Sequence, residues 1–412
     1  MLTAIASILI FSMAILIHEL GHFWAARRAG INVSEFSIGM GPVLFQKKGK
    51  ETIYYIKALP IGGYIKMEGE DEEAITERSF SSKSPWQRFR VILMGPVMNF
   101  ALALVIFFAI VLVYGIAGTT VDFIDENATE YAAGLRPGDK IVKIEDTRVR
   151  YWEDLTNEII KNEDQYTLTV VRDNVEQTFE IQQNYRYIVG ISPVEADGEY
   201  TTELAVVNVN YPAEKAGLKP GDKVLSINGV TTLTWEDVRG NIANSGGVNL
   251  FMEVERDDQI LTVEVIPENQ ITIGFYTEMD RSILTAVTGS IHRVVFYITL
   301  MFQLIGMMIT GQVGSEAVAG PIGIISMVGE AARLGLYPLL NLMAFININL
   351  GFINLMPVPA LDGSRLVFIA IEGIRGKRIS PEKEGYIHFI GFVFLMALMF
   401  FVLYKDIIKI LN

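Results

Sequence analysis

Uncharged apolar runs are the feature that most limits what this 412-residue chain can fold into. No charged residue stands between Arg90 and Asp122, between Arg333 and Asp362, or between Glu384 and Lys405. A further run, Leu2 to Ala26, is broken only by His18, Glu19 and His22. Crossing a bilayer takes roughly 20 apolar residues. The expectation is a polytopic α-helical membrane protein with about four transmembrane helices, near 2–26, 91–117, 336–361 and 386–404. Composition agrees: the chain is 50% hydrophobic and 20% charged, too apolar for a purely soluble protein. No Lys or Arg precedes Arg27, so the first run reads as a retained span and not as a signal peptide.

Charge is unevenly spread. Residues 117–282 hold 14 Lys and Arg against 31 Asp and Glu, a net −17, which leaves +4 for the rest of the chain. Eleven Lys and Arg lie between the first and second spans and five between the third and fourth. Basic loops stay in the cytoplasm, so the acidic insert between the second and third spans is expected outside. This places the protein in the cell (inner or plasma) membrane as a multi-pass chain in contact with lipid. The overall charge of −13 argues against a nucleic-acid partner. One uncharged stretch, Val294 to Ser315, is weakened as a span by Gln303, Gly306, Gly311 and Gln312. It is expected to be interfacial or partly buried, within a region of amphipathic helices at 283–333.

The acidic insert repeats itself. Ala133-Gly134-Leu135-Arg136-Pro137-Gly138-Asp139-Lys140 returns 83 residues later as Ala216-Gly217-Leu218-Lys219-Pro220-Gly221-Asp222-Lys223, and Trp152-Glu153-Asp154 returns as Trp235-Glu236-Asp237. Arg172-Asp173 returns as Arg256-Asp257 with a one-residue slip. Such spacing marks two copies of one module. Pro-Gly-Asp forms a turn, the residues after it a strand, and Trp-Glu-Asp the start of a helix. The pattern resembles the PDZ domain of bacterial proteases, over 119–190 and 191–268. PDZ domains bind extended peptide ends at a sheet edge. A spacer or a steric filter for bulky ectodomains is the other reading of the pair.

Chemistry rests on His18-Glu19-Leu20-Gly21-His22. Helix positions i and i+4 share a face, so two imidazoles in H-E-x-x-H can hold one Zn²⁺, and the Glu can take a proton from a nearby water. Ionisable groups inside an apolar span are costly and mark function. The chain has no Cys, which excludes thiolate ligands, thiol nucleophiles and disulfides. A catalytic zinc needs a third protein ligand. His292, His388 and Asp362 are candidates. Asp362, at the end of the third span, is favoured because it shares the cytoplasmic depth of His18 and His22. That agreement requires the stretch from Val294 not to cross the membrane alone, since a lone crossing would reverse the third span.

Together these residues resemble the site-2 proteases, zinc enzymes that cut inside the membrane, and most of all the bacterial RseP-type branch with tandem PDZ domains. The resemblance rests on His18-Glu19-x-x-His22, Gly62-Gly63-Tyr64 in the first loop, Gly95-Pro96-Val97-Met98-Asn99 in the second span, and Asn354-x-x-Pro357-x-Pro359-x-Leu361-Asp362-Gly363. It implies that His18, His22 and Asp362 hold zinc and that Glu19 is the general base. It further implies that Asn354 meets substrate, and that Gly62, Gly63 and Tyr64 belong to a membrane-reentrant β-hairpin, about 43–68, which holds substrate as a strand. The implied substrates are single-pass membrane proteins such as trimmed anti-sigma factors or signal-peptide remnants. A catalytically inactive PDZ-bearing scaffold is the alternative. Gly95 and Asn99 are expected to serve helix packing, Asn99 by a bond across the bundle. Ser364 stands where relatives often carry Gly, with little expected effect.

Overall fold

A computed structural model describes residues 2–70, 76–162, 164–196, 198–208, 211–314 and 319–411. Ser315 and the side chains of Pro60 and Ile61, which belong to segments singled out above, lie outside the described residues. The chain divides into two compact units, one of residues 1–116 with 280–412, the other of residues 117–279.

The first unit is helical apart from one small sheet. Helix α1 is Leu2–Arg28, and strands β1 (Val33–Lys48) and β2 (Ile53–Met67) follow it. Helix α2 is Pro85–Tyr114. It starts six residues before the expected span because Ser84 caps it in a capping box with Gln87 and Pro85 occupies its first turn. The hairpin begins at Val33, ten residues earlier than expected. Val33–Ile38 pairs on one side with Gly63–Met67 and on the other with Ile53–Ile56, and Ile53–Lys57 goes on to pair with Val43–Lys48. Residues Gly63–Met67 therefore form an edge with one side unpaired among the described residues.

The second unit carries the repeat. Its first module contains β3 (Ile116–Ile124), α3 (Thr129–Ala133), β4 (Lys140–Ile144), β5 (Thr147–Arg148), α4 (Trp152–Lys161), β6 (Gln165–Arg172) and β7 (Val175–Gln182). After β8 (Asn184–Ile188) comes the second: β9 (Ile191–Ala196), β10 (Glu199–Val207), α5 (Pro212–Lys215), β11 (Lys223–Ile227), β12 (Val230–Thr231), α6 (Trp235–Ala243), β13 (Leu250–Arg256) and β14 (Gln259–Val265). Strands β15 (Glu268–Thr272) and β16 (Phe275–Asp280) close the unit. The second sheet runs β14-β13-β11-β10-β9 and the first β16-β3-β4-β6-β7. The expected boundary of 119–190 is thus corrected. The first module takes its outermost strand from residues 275–280, and the second module is inserted before that strand. A contiguous boundary fails because β15 pairs with β8 and carries the chain back.

The repeated residues earn their places physically. Asp139 and Asp222, each 1% exposed, accept two-pronged bonds from Arg172 (Nε to Oδ1, 2.6 Å) and Arg256 (2.6 Å), the strong geometry for this pair. Asp154 and Asp237 accept backbone N–H groups at the starts of α4 and α6. Asp173-Asn174 and Asp257-Asp258 have positive φ, as two-residue hairpin turns require.

Back in the helical unit, α7 (Ile283–Ile309) and α8 (Pro321–Leu334) precede α9 (Leu336–Leu355), α10 (Asp362–Arg375) and α11 (Pro381–Leu411). Five helices among the described residues, α1, α2, α7, α9 and α11, are long and apolar enough to cross a membrane. The expected surface region at 283–333 is corrected in part: its first half is one 27-residue helix. Tyr297 stacks on Phe107 of α2 and Phe302 meets Phe352 of α9. Gln303 and Gly306 do not stop a helix whose other face buries Val294 and Met301. The third expected span also ends early. Helix α9 stops at Leu355 because residues before Pro357 and Pro359 avoid helical backbone, which frees Asp362 to start a new helix.

Candidate active site

Three elements bring the site together. Helix α1 turns His18, Glu19 and His22 inward, α2 packs against that face, and α10 starts at Asp362. His18 Nε2 and His22 Nε2 lie 3.1 and 3.2 Å from Asp362 Oδ2 and 3.1 Å from each other. One ligand atom from each residue falls within 4.8 Å of the others. Both histidines are buried, at 8% and 6% exposure.

Close approach is possible because glycine stands at each contact. A Cβ on Gly95 of α2 would lie 2.2 Å from His22 Nε2, and one on Gly21 of α1 would lie 2.3 Å from the Met94 carbonyl oxygen. A Cβ on Gly363 would lie 2.2 Å from the Met356 carbonyl oxygen, so only glycine folds Asp362 back against the end of α9.

The surrounding groups set the ring tautomers. His22 Nδ1 donates to the Val91 carbonyl at 2.9 Å, which leaves Nε2 as a lone pair facing Asp362. His18 Nδ1 lies 3.2 Å from the Asn99 amide. Asn99 is fully buried, and its Oδ1 has no partner when Nδ2 faces the ring. The two ends of an amide are interchangeable in placement. Turned so that Oδ1 accepts the Nδ1 proton, it satisfies that oxygen and frees His18 Nε2. Among the described residues, Asp362 Oδ2 has no hydrogen-bond donor. Two nitrogen lone pairs and a carboxylate oxygen then converge on one point, a set that repels itself without a cation and suits zinc in number and kind.

Glu19 lines the same cavity, of about 530 Å³, together with Tyr64, Ile65, Met67, Arg365 and Glu70. Arg365 pairs with Glu70 across it. The Ile65 N–H is hydrogen-bonded to the Glu19 carboxylate, and a Cβ on Gly63 would sit 3.2 Å from Glu19 Cγ. The sheet edge therefore lies against the active face of α1. Gly62, at φ +86° and packed on Met40, sits one residue further out. The Tyr64 hydroxyl donates to Glu35 at 2.6 Å and accepts from Lys57 at 3.2 Å. Burial and the Glu35 bond push this phenol up to about 12. Asn354 sits half-buried in the last turn of α9 and is not among the cavity-lining residues.

Sequence reasoning brought together His18, His22 and Asp362. It gave Asn99 a bond across the bundle without its partner. It missed His388 as a positioning group: His388 Nδ1 accepts the N–H of Ala360, a residue at φ +78° two positions before Asp362. A positive φ at a non-glycine residue leaves no mark in sequence. His292 lies on α7 and is not part of the cluster.

Comparison with known proteins follows the same lines. Three relatives match end to end. The zinc metalloprotease RasP of Shouchella clausii is 32% identical and covers 100% of each chain. The regulator of sigma-W protease RasP of Bacillus subtilis is 32% identical over 98% of each. The regulator of sigma-E protease RseP of Escherichia coli is 30% identical over 97% of each. The sequence profile described as Peptidase family M50 matches residues 6–398, which include every residue of the cluster. The chain belongs to peptidase family M50.

Proposed function

We propose that this zinc metallopeptidase cuts single-pass membrane proteins within their transmembrane segments. The observation that supports it most is the convergence of His18, His22 and Asp362 beside Glu19 within a bundle of helices long and apolar enough to cross a bilayer. His18, His22 and Asp362 would hold the metal, and zinc supplies Lewis-acid chemistry at the scissile carbonyl. Glu19 takes a proton from the attacking water and passes it to the leaving amine. Ile65 holds Glu19 through its N–H and keeps the carboxylate aimed into the cavity. Arg365 and Glu70 make part of the cavity wall polar, which lets water enter among apolar helices.

A helical substrate hides its carbonyls in its own hydrogen bonds. The edge Gly63–Met67, which pairs with no further strand among the described residues, offers replacement partners beside the Ile65 N–H that Glu19 occupies, so a locally unwound substrate would add to it as a strand. Gly62, Gly63 and Tyr64 shape that edge, and Asn354 contacts substrate once it is bound. The basic loops support a cavity open toward the cytoplasm and an acidic unit outside. In that unit the two PDZ-like modules receive peptide ends or exclude bulky ectodomains, so that pre-trimmed proteins, such as anti-sigma factors or signal-peptide remnants, are preferred.

Zinc content and cleavage of a model single-pass substrate, measured together on wild type and Glu19→Gln in detergent, test this reading. The expected result is about one zinc per chain in both proteins and cleavage by wild type alone, with Glu19→Gln slower by about 10²-fold or more. Wild-type protein that folds without zinc would sink the metal assignment, and equal cleavage by both would sink the role of Glu19.

A further inference from the structure

Asp362 is aimed by the short segment before it. Residues 357–361 join α9 to α10 without helix or strand. Pro357 and Pro359 have no N–H to donate. The Val358 N–H bonds the Met356 carbonyl at 2.7 Å, and the Leu361 N–H bonds the Val358 carbonyl at 3.1 Å. The remaining donor of the segment, the Ala360 N–H, goes to another element: His388 Nδ1 of α11 accepts it at 3.0 Å. Ala360 takes φ +78°, a left-handed backbone that a Cβ disfavours. Such a residue keeps its conformation only where the surroundings over-determine it. Helix α11 supplies a second restraint three residues on. A Cβ on Gly391 would lie 2.3 Å from Pro359 Cβ and 2.4 Å from the Pro359 carbonyl oxygen. The His388 ring is held in turn, edge to face with Phe368 of α10 at 5.8 Å between centroids.

His388 is outside the metal cluster, yet with Gly385, Phe389 and Phe392 it lines the cavity that contains the cluster. We propose that His388 is a positioning residue: by accepting the Ala360 N–H it fixes the turn that aims the Asp362 carboxylate, and so ties the α11 wall of the cavity to the metal. The inference rests on the reading of His18, His22 and Asp362 as zinc ligands. The link is short. Asp362 is two residues past Ala360, and Gly363 is seated against the carbonyls of Leu355 and Met356. The backbone on the Ala360 side is therefore what can still redirect the carboxylate. A change from positive to negative φ at Ala360 would turn Leu361 and Asp362 with it. A ligand oxygen has to stay within about 0.2 Å of its bonding distance to hold a metal well, so a loss of the His388 bond should be read at the zinc.

Zinc affinity of the full chain in detergent, measured by chelator competition, tests this. His388→Ala is expected to bind zinc about tenfold more weakly than wild type. His388→Phe, which keeps a ring against Phe368 but offers no acceptor, should lose as much. His388→Asn carries an acceptor oxygen near the place of Nδ1 and should keep most of the affinity. Glycine takes positive φ without a Cβ penalty, so Ala360→Gly added to His388→Ala should restore part of the loss. Tyr386→Ala, at an exposed position on α11 that does not line the cavity, should match wild type in zinc affinity and in cleavage. If His388→Ala does not fold, His388→Phe against His388→Asn makes the same comparison. Wild-type affinity in His388→Ala or His388→Phe overturns the proposal. So does an equal loss in His388→Asn and His388→Phe, which would assign the effect to the imidazole ring and not to the bond. Wild-type protein that binds no zinc would overturn the metal reading itself, and this inference with it.

Discussion

At the scale of single residues, an absent side chain decides whether the site exists. Gly95 lets α2 approach until its backbone touches the His22 ring, and an added Cβ would lie 2.2 Å from Nε2. Something must then move, and the ring is the group with a defined direction to lose. Gly95→Ala is expected to fold and to carry far less than one zinc per chain, read by metal analysis of purified protein. Asn99 acts one step further out, by setting the tautomer of His18. Groups of that kind change metal affinity by about 10–100-fold when removed. Asn99→Leu should lower zinc affinity in that range in a chelator competition, while Asn99→Asp, which retains an acceptor, should keep most of it. Unaltered affinity in Asn99→Leu would mean that the bond to His18 serves packing only. The histidine pair was readable because i, i+4 spacing has a fixed geometric meaning. Asn99 was not, since a polar residue in an apolar helix announces a bond but never its partner.

At the scale of elements, the legible parts were those whose pattern is local. The apolar windows found α1, α2, α9 and α11, and the repeated Pro-Gly-Asp and Trp-Glu-Asp blocks found the strand and helix starts of both modules. Helix α7 was misjudged because counting charge-free residues began it after Arg293. That arginine is buried, with its guanidinium 5.7 Å from the Phe107 ring, so the helix runs through it. The hairpin, expected from the resemblance at about 43–68, begins earlier, and Gly39 and Gly41 take positive φ within its irregular first strand. Its edge yields a prediction. A Cβ on Gly63 would press on the Ser37 carbonyl at 2.9 Å and on Glu19. Gly63→Ala should retain about one zinc per chain but cut the membrane substrate about tenfold more slowly, by shifting the edge or tilting Glu19. Loss of zinc in this variant would show that the edge supports the metal site and does not act on substrate.

At the scale of the whole molecule, the relative directions of α7 and α9 decide which sidedness the bundle allows. Tyr114, at the end of α2, meets Tyr337 at the start of α9, while Gly351 near the end of α9 abuts Pro96 and Phe100. Helices α2 and α9 are therefore antiparallel. Helix α7 places Tyr297 beside Phe107 and Phe302 beside Phe352, so it runs in the same direction as α9. Between them the chain must come back, and α8 lies at the starting end, with Gly329 against Thr3 of α1. An apolar α7 is thus compatible with the shared depth of His18, His22 and Asp362 if the chain returns before α9, which labelling tests. This parity could not be read from the sequence, which shows where a helix is apolar but not where the chain turns back. The chain has no Cys, so single cysteines report sidedness without background. Cysteines at Ser282 and Gly335 are expected to react with an impermeant maleimide from the face that also labels a cysteine at Asn127 in the acidic unit. One at Lys377 should react only after the membrane is opened. Labelling of 282 and 335 from opposite faces would mean that α7 crosses alone, and the convergence of Asp362 with the two histidines would then need another explanation.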